Sequence, residues 1–111
     1  MNIIGKFPVC AFTIPRKRKR FLGIPLWFER RPPRDFTLSL SRAFGGSTAW
    51  QAEGIWQYNG KSISERVWRF EVSTYTVELL AAFVTVYLKR IGEIEVYFAV
   101  VGEHWQIRTG N

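Results

Sequence analysis

"WQAEGIWQYNGKSISERVWRFEVS", residues 50–73, decides how this chain folds. Asn59-Gly60 sits between two runs rich in Trp, Ile, Tyr, Val and Phe. Asn-Gly is the pair that best tolerates the two positive φ angles of a type I′ turn, whose twist matches that of the flanking strands. A two-residue loop here sets the register: Tyr58 faces Lys61, Trp56 faces Ile63, Glu53 faces Arg66 and Ala52 faces Val67. One face of the ribbon then carries Trp50, Trp56, Tyr58, Ile63 and Val67, the other Ile55, Trp68, Phe70 and Val72. Neither face is cleanly polar, so either a bulge shifts the register or both faces are partly covered.

Outward toward the C-terminus, "STYTVELLAAFVTVYLKRIGE" (73–93) predicts a helix over about residues 75–91. Thr74 or Thr76 supplies the cap, Glu78 lies in the first turn, Lys89 and Arg90 in the last, and Gly92 is the stop. Val77, Leu80, Ala81, Val84, Leu88 and Ile91 form one apolar stripe; Leu79, Phe83, Val86 and Tyr87 form a second. A helix apolar on two sides requires cover on both, from the N-terminal segment or from a second subunit, so a homodimer through residues 77–91 is expected. Beyond it, the alternation in "EIEVYFAVVG" (93–102) predicts a strand, and "EHWQIRTG" (103–110) a last short one.

Outward toward the N-terminus, "GGST" (45–48) reads as a turn, and the alternation of Phe36, Leu38 and Leu40 with Thr37, Ser39 and Ser41 predicts a half-buried strand. Pro32-Pro33 marks a boundary, and "FLGIPLWFE" (21–29) reads as a strand that Pro25 confines to an edge or a bulge. The expected fold is therefore α+β: an antiparallel or mixed sheet of four to six strands packed on one main helix, with a hairpin–helix–strand portion resembling half of a ferredoxin-like fold. That likeness is architectural and implies no function.

A chain of 111 residues, 47% hydrophobic and 23% charged, with five Trp, four Tyr and nine Phe, is one globular domain with a modest core. Its net charge of +7 is unevenly placed. Residues 1–34 hold nine basic side chains against Glu29 alone, a net of +8; residues 35–111 hold seven against eight acidic ones, a net of −1. The division reads as a basic N-terminal arm or strand pair (1–34) on a near-neutral body (35–111).

Several chemistries find no support in the sequence. One His and one Cys do not make a zinc site of the usual spacing, Gly45-Gly46-Ser47-Thr48 lacks the lysine of a phosphate-cradling loop, and no cofactor is expected. The lone Cys10 excludes an intrachain disulfide and fits a reducing compartment. The apolar N-terminal stretch, broken by Pro8 and running into basic residues, is unlike a signal peptide, and uncharged runs of ten residues are too short to span a bilayer. The expectation is a cytoplasmic protein, or a nuclear one in a eukaryotic host, since residues 16–20 also resemble an import signal.

The leading functional expectation is nucleic-acid binding. Arg16, Lys17, Arg18, Lys19, Arg20, Arg30, Arg31 and Arg34 would meet phosphates, with Trp27 and Phe28 stacking on unpaired bases. Arg42, Arg66, Arg69 and Arg108 would extend the footprint across a sheet face. A second reading makes the chain a protein-interaction or assembly module, its basic run a solvated edge strand that resists aggregation. A third is a metal-independent ribonuclease using His104, the one side chain here whose reference pKa lies near neutrality. In an extended segment Glu103 points away from His104 and does not pair with it.

Overall fold

The computed structural model describes the backbone of residues 2–110 and their side chains except those of Arg18, Lys19, Arg20 and Leu26. The elements run β1 (Asn2–Pro15), β2 (Arg18–Phe21), β3 (Ile24–Phe28), α1 (Arg34–Phe44), β4 (Thr48–Tyr58), β5 (Lys61–Ser73), α2 (Val77–Arg90) and β6 (Phe98–Arg108). Strands β4-β5-β1-β6, in that order, make a four-stranded antiparallel sheet, while β2 and β3 pair only with each other.

The Asn59-Gly60 turn forms as its chemistry requires, with φ of 50° and 75°. Register is unbroken from Thr48↔Glu71 to Tyr58↔Lys61, so no bulge intervenes. The mixed character of the two faces has another cause. β1 pairs with β5 only from Val67 to Ser73, so the distal half of the β4–β5 ribbon runs on past its neighbour. There Ile55, Trp56, Tyr58 and Ile63 are exposed on both sides. At the opposite end β1 and β6 continue together from Pro8↔Glu103 to Asn2↔Arg108 beyond the reach of β5. These two overhangs stretch the molecule to 55 × 32 × 22 Å, with a radius of gyration of 16.5 Å against about 13 Å for a compact chain of this size.

Alternation along β1 and β5 puts Cys10, Phe12 and Ile14 with Trp68, Phe70 and Val72 on one face. Both helices cover it, α1 through Phe36 and Leu40, α2 through Leu80, Val84 and Leu88. Phe12 and Phe70 stack at 5.2 Å, and the edge of Phe36 meets both. The one-main-helix expectation is thereby corrected: among the described residues two helices share the face. The segment read as a strand at 36–41 is α1. Its apolar spacing of Phe36, Leu40 and Phe44 serves a helix equally well, and the flanking signals decide: Pro33 at the N-cap, Asp35 in the first turn, Arg42 in the last, and Gly45 at φ 91° closing the end. Leu38, the residue that made the pattern look alternating, is exposed.

α2 spans 77–90 within its expected bounds, ending in a Schellman arrangement in which Gly92 N–H donates to Lys89 O and Glu93 N–H to Leu88 O. Thr76 holds the N-cap position without a side-chain cap bond; instead its N–H donates to Thr74 Oγ1. The two strands expected after Gly92 are one, β6, starting at Phe98; Val101 is accommodated as a bulge between Val9↔Gly102 and Cys10↔Val100. Among the described residues no helix is long and apolar enough to cross a membrane.

Candidate nucleic-acid interface

Residues 16–29 form a second, smaller ribbon. β2 and β3 are joined through Leu22-Gly23, both left-handed at φ 50° and 79°, the same turn geometry as Asn59-Gly60. Glycine enters that region freely. Leucine does so at a steric cost, so this turn is held by its neighbours and not by local preference alone. The pairing runs Phe21↔Ile24, Arg20↔Pro25 and Arg18↔Phe28, with an irregularity between the last two that absorbs Pro25.

The ribbon leaves the sheet where β1 ends, and its root is clamped there. Arg16 N–H donates to Arg66 O at 2.9 Å, and Glu29 N–H donates to Lys17 O at 2.8 Å, closing the two chains of the ribbon together. Arg16 Nε donates to Glu29 O at 2.5 Å. The same guanidinium lies 5.2 Å from the ring of Trp68 and 5.7 Å from that of Phe28, and Arg66 covers Phe28 at 4.3 Å. Two arginines thus hold the Phe28 ring at the end of the core by cation–π contact, with Arg16 and Phe28 half-buried, where such contacts gain strength. Trp68, almost fully buried, keeps its indole N–H without a hydrogen-bond acceptor among the described residues.

The placement divides the sequence-predicted set into two groups. Arg16 and Phe28 build the clamp, and Arg66 joins them from β5. Lys17, Trp27, Arg30, Arg31 and Arg34 are exposed around the ribbon and its return to α1. Arg18, Lys19 and Arg20 lie on β2 by their backbone, and their side chains fall outside the described residues. At and near the tip Phe21, Leu22, Ile24 and Trp27 are all exposed, Leu22 by 86%. Trp68 as part of the clamp was not legible: nothing local in "ERVWRF" reports that the ribbon root would fold onto it.

The remaining arginines do not converge there. Arg69 lies across the opposite face of the sheet between Trp50 and Tyr97, at 5.9 and 5.8 Å from their rings. Arg42 closes α1, and Arg108 ends the β6 overhang. His104 stacks on Phe7 at 5.4 Å, and Phe7 in turn packs at a tilt against Tyr75 at 4.4 Å. It lines a cleft of about 410 Å³ with Glu71, Ser47, Ser73 and Gln106, and its Nδ1 has no partner among the described residues. Glu103 points elsewhere and pairs with Lys6 at 2.6 Å. Besides His104, the ionisable side chain in that cleft's lining is Glu71. Among the described residues no group of three or more His, Cys, Asp or Glu side chains is placed to hold a metal ion.

No protein-family model matches this chain, and no curated protein resembles it in sequence.

Proposed function

We propose that this chain binds nucleic acid through the β2–β3 ribbon, with phosphates met by Lys17, Arg18, Lys19, Arg20, Arg30, Arg31 and Arg34. The observation that carries the reading is the clamped root: Arg16, Phe28, Arg66 and Trp68 hold a two-stranded basic ribbon against the end of the core, clear of the sheet. A two-stranded ribbon fits a groove of duplex DNA, and apolar side chains at such a tip act as wedges between base steps. Phe21, Leu22 and Ile24 have that character and position. Contacts of this kind reach the backbone and the stack and leave base edges unread, so binding is largely independent of sequence. The strand order β4-β5-β1-β6, with a helix after β1 and another after β5, supports reading the body as ferredoxin-like, the small ribbon being inserted between its first strand and first helix. The compartment that suits this reading is the cytoplasm, or the nucleus of a eukaryotic host.

The test is fluorescence anisotropy with labelled duplex and single-stranded oligonucleotides across a salt series, with anionic vesicles in parallel. A variant with Gln at Lys17, Arg18, Lys19 and Arg20 keeps Arg16 and therefore the clamp. Each lost phosphate contact lowers the salt slope by about 0.9 on duplex DNA, so a fall of roughly 3 to 4 is expected. Leu22→Ser should weaken duplex binding while leaving the slope unchanged. Wild-type protein that ignores both oligonucleotides at low salt, or binds only the vesicles, overturns the proposal.

A further inference from the structure

We infer that α2 docks on α2 of a second copy of this chain, antiparallel, about a two-fold axis near Ala82 and Phe83. α1 and α2 leave a groove of about 530 Å³ between them on the side away from the sheet. Its floor is aromatic, Phe36, Phe83 and Tyr87, its rim on α2 is Leu79, Ala82 and Val86, and Arg90 of α2 and Asp35 of α1 add charge to the lining. Leu79 and Val86 are 61% and 58% exposed, although the helix already buries Leu80, Val84 and Leu88 against the sheet. Residues 79, 82, 83 and 86 follow the spacing of a helix-packing seam, and Ala82 at its middle lets another helix approach closely.

What selects the occupant is the charge at the seam's edge. Glu78 and Lys89 are three turns apart and lie on the same side of that seam, both exposed. A two-fold axis between Ala82 and Phe83 sets Leu79 against Val86 of the other copy. It also brings Glu78 of each copy beside Lys89 of the other, so the edge is complementary to its own rotated image. A parallel pairing would set Glu78 beside Glu78 and Lys89 beside Lys89. One helix from each subunit makes a small interface, so the dimer should be weak, in the micromolar range. The inference is independent of the nucleic-acid reading, because no residue of the ribbon takes part.

Sedimentation equilibrium over a micromolar concentration series tests it directly. The wild type should be a monomer–dimer equilibrium, and Val86→Glu should weaken it by roughly a hundredfold by placing a charge in the seam. Each two-fold contact occurs twice, so Glu78→Lys or Lys89→Glu alone should weaken it by about tenfold. The double variant E78K/K89E should restore association, which a merely structural role of either residue would not do. These side chains are exposed, so far-UV circular dichroism should be unchanged in every variant. A wild type monomeric throughout, a dimer indifferent to Val86→Glu, or single swaps that the double variant does not rescue would each overturn the inference.

Discussion

Arg16 shows how position revalues a residue. It is the first of five consecutive basic side chains, and nothing in the run distinguishes it from Lys17, yet it is half-buried between Phe28 and Trp68 while Lys17 faces solvent. The difference is its N–H bond to Arg66 O, which extends the β1–β5 ladder one residue past Pro15 and turns the side chain inward. Cys10 is fully buried in the core, and burial pushes its thiol above the ordinary value. Since the thiolate is the reactive form, Cys10 should resist alkylation at neutral pH in the native state and react promptly in denaturant, read by mass spectrometry. Glu65 has its carboxyl raised, first by desolvation and then by the nearby Glu93. The fold therefore holds that proton more tightly than the unfolded chain does, and the advantage of the protonated form is lost as pH rises. Glu65→Gln should raise the melting temperature at pH 7, and the gain should vanish below the carboxylate range. A thermal-melt series in pH checks it.

At the scale of elements, α1 is the instructive case. Phe36, Leu38 and Leu40 would all face the core of a strand, whereas a helix separates them by 100° per residue and leaves Leu38 outside. The pairs of facing residues thus give different mutational outcomes. Leu40, fully buried, should cost about 2–5 kcal/mol when replaced by Ala, and exposed Leu38 under about 0.5 kcal/mol. Chemical denaturation of the two variants measures the contrast, and equal losses would restore the strand. α1 and the β4–β5 hairpin were legible to different degrees for a physical reason. An I′ turn is dictated by two adjacent residues. A ten-residue amphipathic segment satisfies both periods, and only its ends, Pro33 and Gly45, break the tie.

At the scale of the molecule, stability is concentrated where the sheet is both four strands wide and covered by helices. Residues 9–12 of β1 and 70–73 of β5 lie there, and both overhangs lie outside it. Native-state hydrogen exchange should be slowest at Cys10, Phe12, Phe70 and Val72. It should be faster by orders of magnitude from Gly54 to Ser64, where the ribbon is paired on one side only. Uniform protection along β5 would contradict this arrangement. The same geometry explains the exposed tryptophans: Trp50, Trp56 and Trp105 are carried on edge strands or overhangs, and Trp68 alone of these four lies over the core.

By itself the sequence determined what depends on near neighbours: the register of β4 with β5, the span and C-terminal stop of α2, and the concentration of positive charge before residue 35. Local sterics and capping act within a few residues, so they are readable from a few residues. The tertiary structure decided what depends on distant partners. The apolar N-terminal segment became β1 at the interior of the sheet because Phe12 finds Phe70 and Phe98 there. The helix at 34–44 lies beside α2 on that sheet face because Phe36 meets Phe12, Phe70 and Phe83 there. Arg16 and Phe28 became a clamp because Trp68 and Arg66, roughly forty to fifty residues further along the chain, end the core beside them. Burial between remote segments carries no signature in either segment alone.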